Sequence, residues 1–470
     1  MTVTVGAPVN TGAAGQPGRH AEDGTERTTP VRLALWTAAV AAALAALLGV
    51  TVGAFTTAQD GTASVAQHAA VASDSADLYF SLSDLDAEAA RLVLLGNGSS
   101  PVAGGQDHGG DQLSALTAYN QRTAQVDADL QRLAATAGSA DASTVAALTS
   151  GVTTYHQIAD AAIALDQTAP NAVPSTGITN SAGTTISMGA PAGQPAANAI
   201  GYYARATTLM QSELLPAAQS LRSGKASALS DAASSAHLAG IVGAIAAGVV
   251  GLIALVLALR AHRRLQRWFR RSANLGVLLA AGLAVALALG SLFALLATAA
   301  DASAAGSRFA DYLAVTRTRA ASYDLDGAVT RFLLMPDTTL GLVDKSLANA
   351  NAELKALGAA GAPAAERWKT VVDGDIPAIT DGVTVGASPD VVATALARDT
   401  GTARNEEAFD FFYYDSALLT VSDERLAAFD TSMSAAHADL SGWSWLPWAL
   451  AVAALSALGL GVRPRFSEYR

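Results

Sequence analysis

The chain has 470 residues, 51% of them hydrophobic, with 29 Lys and Arg against 40 Asp and Glu and a net charge of −11. The acid excess argues against a nucleic-acid partner, and the absence of cysteine removes disulfides, thiolate metal sites and cysteine nucleophiles. Length alone would suggest about three soluble domains, but apolar runs at 31–55, 238–259, 275–299 and 446–462 are each long enough to cross a ~30 Å hydrocarbon core as a helix.

In chain order, residues 1–30 are Gly, Thr, Pro and Ala with few apolar anchors, the composition of a disordered cytoplasmic tail. The first apolar run reads as an uncleaved signal anchor, with cleavage after an Ala-rich site as the alternative. Beyond it, Val65, Ala69, Ala72, Leu78, Leu82, Leu85, Ala89 and Leu92 keep helical spacing until Gly96-Asn-Gly breaks it. Further helices are expected at 112–137 and 142–168. A Pro-, Gly- and Ser-rich stretch at 169–195 predicts a long surface loop, and a fourth helix from about 196 runs on into the second span.

Six arginines then fall within residues 260–271: Arg260, Arg263, Arg264, Arg267, Arg270 and Arg271. By the positive-inside rule this turn stays in the cytoplasm, so residues 56–237 and 300–442 lie outside and both termini inside. The outer segments carry 6 basic and 15 acidic groups, and 11 and 21, respectively. Net negative charge is therefore external and net positive charge cytoplasmic. The turn has two readings, an anchor to anionic headgroups or, with Leu265, Trp268 and Phe269 close to one face, a short interfacial relay element.

The second half repeats the plan: a span, then expected helices at 301–335, 339–357, 364–385 and 389–440, then the last span, interrupted at its start by Gly442 and Pro447. Residues 83–95 and 323–335 share Asp-Leu-Asp-x4-Arg, with Asp84, Asp86 and Arg91 matched by Asp324, Asp326 and Arg331. This points to an internal duplication. The fold class expected is an all-α membrane protein with four transmembrane helices and two tandem extracytoplasmic, four-helix-bundle-like domains. In the third span Gly276, Ala280, Ala284 and Ala288 share a face, as do Ala449, Ala453, Ala457 and Gly461 in the fourth. Such rows let helix backbones approach closely in lipid.

The repeated motif is the best candidate site. Asp84 and Arg91 are seven apart, on one helical face, with Glu88 between them. They read either as a polar site for an amino-acid ligand or a partner's charge, or as a structural charge pair holding register, and the second reading is preferred. In Phe409-Asp-Phe-Phe-Tyr-Tyr414, helical spacing assigns Phe409, Phe412 and Tyr413 to the core and leaves Phe411 and Tyr414 as an exposed aromatic edge for a protein partner. Trp443, Trp445 and Trp448 suit the headgroup interface. The seven histidines have no i, i+4 pair, so no metal site is expected. No phosphate cradle or other enzyme motif is present, and no cofactor is expected.

The architecture is similar to the four-helix-bundle ectodomains of bacterial chemoreceptors and sensor kinases. The basic central turn, the tandem outer domains and the terminal Arg-Pro-Arg-Phe-Ser-Glu-Tyr-Arg together resemble the four-span membrane protein of an actinobacterial amino-acid-sensing system. That resemblance implies a glutamine-binding lipoprotein outside and a soluble serine/threonine kinase G inside, and carries no binding residues over. The function expected is a non-enzymatic sensor contacting membrane lipid, a solute-binding lipoprotein and a protein kinase, and able to form homo-oligomers. The alternative is a structural or assembly subunit of an envelope or transport complex.

Overall fold

The computed structural model describes residues 28–98, 109–169, 178–179, 185–186, 190, 192–269, 275–384, 387–400 and 406–467. Residues 1–27 of the tail expected at 1–30, most of the 169–195 loop, Arg270, Arg271 and residues 468–470 lie outside this set, as do the side chains of Leu265, Trp268 and Phe269. The chain divides into two compact units, one of Met1–Phe55, Val242–Leu295 and Ser441–Arg470, the other of Thr56–Ile241 and Leu296–Leu440.

The elements are α-helical apart from two short strands and a few tight or widened turns. Helix α1 (Thr28–Leu95) is followed by α2 (Gly109–Thr136), α3 (Ala142–Thr168), the two-residue strands β1 (Ile178–Thr179) and β2 (Thr185–Ile186), α4 (Ala197–Leu209) and α5 (Leu215–Phe269). The second half holds α6 (Leu275–Leu334), α7 (Pro336–Ala356), α8 (Ala362–Thr370), α9 (Ile376–Thr380), α10 (Pro389–Asp399), α11 (Glu407–Leu440) and α12 (Leu446–Ser467). Among the described residues four helices are long and apolar enough to cross a membrane: α1, the α4–α5 rod, α6 and α12. This is an all-α, multi-pass membrane protein.

In the first unit α1, α5, α6 and α12 bury Val40, Leu44, Leu47, Ala258, Ala280, Ala284, Leu287, Ala454 and Leu458 among themselves. Outward they present Val249, Leu252, Leu279, Phe293 and Leu460, the inverted surface of a bundle solvated by lipid. Thr51 and Ser291 each donate to a carbonyl one turn back, Leu47 and Leu287, at 2.6 Å, so neither hydroxyl is stranded. The small-residue row of the third span is used: a Cβ on Gly276 would stand 2.5 Å from the Ala457 carbonyl oxygen and 2.6 Å from Gly461 Cα. In the fourth span Ala457 and Gly461 meet it, whereas Ala449 and Ala453 are exposed. Trp443 stacks on Phe55 at 4.4 Å, and Trp445 and Trp448 are exposed.

The second unit differs from the tandem arrangement expected for the outer segments, because 56–241 and 296–440 share one core. Val65, Ala69 and Ala72 of α1 meet Leu229 and Ala233 of α5, Phe309 and Tyr312 of α6, and Phe429 and Met433 of α11, a four-helix stem. Farther along the same helices, α1 from Val71 to Leu95 and α6 from Val315 to Leu334 form a common centre with α2, α3, α4, α7, α8 and α11. Nearly every residue of α1 from 78 to 95 is buried, on all sides rather than on one stripe. A helix buried on every side belongs inside a large core, which a lone four-helix bundle does not provide.

Two local departures have physical causes. The helix expected at 389–440 is split into α10 and α11 after Asp399, where the sequence places a glycine, the residue type that commonly follows a helix end, two positions on. Widened π-turns at Met210–Leu214 and Val371–Asp375 stand just before Pro216 and Pro377, where a proline ring would otherwise strike the carbonyl four residues back. Gly442, at φ +80, turns the chain between α11 and α12, while α1, α5 and α6 run unbroken for 68, 55 and 60 residues.

Candidate functional site

Asp86 stands four residues after Leu82 and three before Ala89, so the helical period puts it on the buried stripe of α1. It is fully buried. Its carboxylate accepts from Arg331 Nη1 at 2.9 Å, Thr207 Oγ1 at 2.8 Å and the Tyr155 hydroxyl at 3.1 Å. The counterpart, Asp326 of α6, accepts from Arg91 Nη2 at 3.0 Å. Each copy of the motif therefore pairs its second aspartate with the arginine of the other copy. The exchange is reciprocal, the pattern of an isologous contact between two-fold-related surfaces, here formed within one chain.

The pairing within one helix expected from the seven-residue spacing does not form. Asp84 is bridged by Arg122 of α2 instead. Asp324 receives both its carboxylate oxygens' bonds from the Tyr79 hydroxyl, at 2.9 and 2.7 Å, with Ser83 at 3.3 Å. A shared face between residues on one helix fixes direction only, and here the nearer partners come from neighbouring helices.

The two arginines sit in unequal surroundings. Around Arg91 lie Glu88 at 2.8 Å, Asp326 at 3.0 Å, Asp399 of α10 at 3.3 Å and Glu407 of α11 at 4.0 Å. Burial works against the guanidinium charge, but Asp326, Glu88, Asp399 and Glu407 together raise its pKa well above the ordinary arginine value. One cation faces four buried carboxylates, an arrangement that favours the protonated form of the least well paired among them. Burial pushes Glu88 up to about 7, with Arg91 pulling the other way. Burial, then Asp326 and Asp399, raise Glu407 well above the carboxylate range, and its Oε2 has no hydrogen-bond partner among the described residues. Among those residues no group of three or more His, Asp or Glu is disposed to hold a metal ion.

Arg331 has a lighter load. Besides Asp86 it borders an open cleft of about 800 Å³ whose walls come from the Thr207–Ser212 turn, from Asp324 and Arg331 of α6, and from Lys345 and Asn349 of α7. Burial opposes its charge, while Asp86 and Tyr203 keep its pKa above the ordinary value. Burial likewise raises Asp324 despite the bonds from Tyr79.

The aromatic edge is inverted relative to expectation. Phe411 packs edge-on to Tyr323 and Tyr414 packs on Trp368 at 4.5 Å, both buried, while Phe412 and Tyr413 are 69% and 50% exposed. A hundred-degree period locates a stripe but not which side faces the core, and α11 has α6 on one side and α8 on the other. Of the basic turn, Arg260, Arg263, Arg264 and Arg267 are exposed at the end of α5, and Arg264 lies 4.4 Å over the Trp36 ring, a cation–π contact. Glu407, Asp399, Thr207, Tyr155 and Arg122 were not anticipated. The one available signal was the position of Asp86 on an apolar stripe.

Residues 60–234, from α1 to α5, match the family described as the Actinobacterial sensor domain. The comparison with curated proteins returned no match, nor did that with solved structures. The matched segment, part of a multi-pass membrane protein, supplies Tyr79, Asp84, Asp86, Glu88, Arg91, Arg122, Tyr155 and Thr207 to the site. Asp324, Asp326, Arg331, Asp399 and Glu407 come from beyond it.

Proposed function

We propose that the chain is a non-enzymatic transmembrane transducer, relaying an external solute, or a solute-loaded lipoprotein, to a cytoplasmic partner such as a protein kinase. The observation that carries this reading is the sensor-domain match over 60–234, which ends within the same helices that form the apolar spans. α1 holds an apolar span and the Asp86 and Arg91 groups in one uninterrupted helix, and α6 holds another span with Asp326 and Arg331. A ligand that favours one arrangement of the crossed ion pairs biases the spans with it, since a ligand shifts an equilibrium by its differential affinity for the two states. The charge asymmetry of the sequence supports both termini and the arginine turn facing the cytoplasm. The exposed Arg260, Arg263, Arg264 and Arg267 then form a cationic surface for lipid or for the partner, the step from which the kinase would read the signal.

The absence of native cysteine makes the test direct. Single cysteines at Thr25, Arg263, Ser220 and Ser434 should report the first two as inaccessible from outside and the last two as accessible to a membrane-impermeant thiol reagent. Paired cysteines in α1 and α6 spans should change their crosslinking yield when the solute or its lipoprotein is added. Constant yields across solutes and lipoproteins, with the loop arginines replaceable without any effect except on topology, would falsify the transducer reading.

A further inference from the structure

The cleft beside Arg331 is not explained by the ion pairs themselves. Its volume of about 800 Å³ falls within the ~300–1,000 Å³ of small-molecule sites. Its polar groups are arranged by charge. Arg331 and Lys345 supply cationic donors, Thr207, Gln211 and Asn349 supply neutral ones, and Asp324 supplies an acceptor. Asp324 and Arg331 are two turns apart on α6, about 10 Å along the helix axis, so a ligand spanning them needs unlike ends. One wall is the π-turn Met210–Leu214, a widened helical turn of a kind frequent at functional sites.

We propose that this cleft binds a small carboxylate solute with a hydrogen-bond-donating group at its far end, the carboxylate held by Arg331 and Lys345 and the donor by Asp324. The inference rests on the transducer reading and names the ligand class for it. Arg331 couples the cleft to the core: its Nη1 is bound to Asp86 at 2.9 Å, and Thr207, on the opposite wall, is bound to the same carboxylate at 2.8 Å. A ligand carboxylate competes with Asp86 for the guanidinium. Asp86 keeps its Tyr155 and Thr207 donors when that happens, which offsets part of the cost of losing its counter-ion, and the ligand's own contacts must exceed the rest. Occupancy thereby loosens one of the two crossed pairs and leaves the Arg91 cluster in place, an asymmetry that lets a single solute move α1 relative to α6.

The test uses the full chain in lipid nanodiscs and isothermal titration with 4-hydroxybutyrate, 4-aminobutyrate and butyrate, which separate a hydroxyl donor, an ammonium donor and none. The expected result is saturable 1:1 binding of a donor-bearing probe with Kd below about 1 mM, and binding of butyrate weaker by about tenfold. Lys345 and Asn349 are exposed, so Lys345→Ala should weaken binding about tenfold and Asn349→Phe, which fills the cleft, should abolish it, both without loss of fold. No binding of any probe up to about 10 mM, or binding unchanged in both variants, overturns the site. Equal affinity for butyrate overturns the role given to Asp324. Crosslinking between the α1 and α6 spans is read in the same samples. Binding without a crosslinking change leaves the site standing and removes the transducer reading. A crosslinking response to a lipoprotein without probe binding does the reverse.

Discussion

Removing either partner of the Asp86–Arg331 pair should destabilise the second unit far more than removing both. Asp86 is fully buried and accepts three hydrogen bonds, and Arg331 is 6% exposed. Arg331→Met leaves a buried carboxylate held by two hydroxyls, and Asp86→Asn leaves a buried guanidinium without its counter-ion. Each should cost about 3–5 kcal/mol, the range for breaking a buried pair from one side. In the double variant neither charge remains, and the residual loss should be about 1–3 kcal/mol, from altered packing and from the Tyr155 and Thr207 bonds. The coupling energy expected from the cycle, the two single losses together less the double loss, is therefore about 6 kcal/mol, within roughly 3–9 kcal/mol. By comparison, the exposed Lys369–Glu366 pair, 65% and 77% exposed, should couple by no more than about 0.5 kcal/mol. The assay introduces Ser75→Cys, a near-isosteric change at a buried position in a chain without cysteine, and measures thiol-labelling protection, in which tenfold corresponds to ~1.4 kcal/mol. Coupling below about 0.5 kcal/mol would refute the reasoning, because it would mean that the two charges do not depend on each other across the repeats.

Glu88 gives a pH dependence whose sign is fixed by burial. Its pKa is raised from 4.5 to about 7, so the native state holds a proton that the unfolded chain has released; the stability it contributes is complete below about 4.5 and is lost as pH rises through about 7, roughly 3 kcal/mol in all. Protection of the Ser75→Cys thiol should fall over that window, and Glu88→Gln should flatten the fall; a slope unchanged by this substitution contradicts the assignment. In the spans, Gly276→Ala forces a methyl against the Ala457 carbonyl and Gly461 backbone and should weaken the pairing of α6 with α12 by about 1–3 kcal/mol, read as crosslinking yield between the two helices. Gly282→Ala, with nothing within 4 Å, should leave that yield unchanged. For α11, Tyr414→Ala should cost about 3–5 kcal/mol and Phe412→Ser less than about 0.5 kcal/mol, in thermal unfolding followed by circular dichroism; equal losses would restore the outward-facing assignment of Tyr414.

Local and one-dimensional features were legible from the residues alone. Helical spacing from Val65 to Leu92, the stop ahead of Pro336, the break at Gly442 and the four apolar lengths each depend on neighbours within a turn or two, or on the solvent a segment requires. The small-residue row from Gly276 to Ala288 was legible for the same reason, since lipid gives close backbone approach a fixed sequence cost. The duplicated Asp-Leu-Asp-x4-Arg was visible as a string, but its meaning was not. Whether Asp84 meets Arg91 seven residues on or Arg122 on another helix, and whether Arg91 answers Asp86 or Asp326 across 235 residues, is decided by which helices lie against α1 and α6. Periodicity ranks faces without naming neighbours, which is why Tyr414 and Phe411 were assigned outward and lie inward. The sequence by itself determined that this chain is a four-span, all-α protein with a repeated charged motif. Only the tertiary structure decided that the two repeats share one core and exchange their ion pairs, because a buried charge takes the partner that packing brings nearest, at whatever distance along the chain.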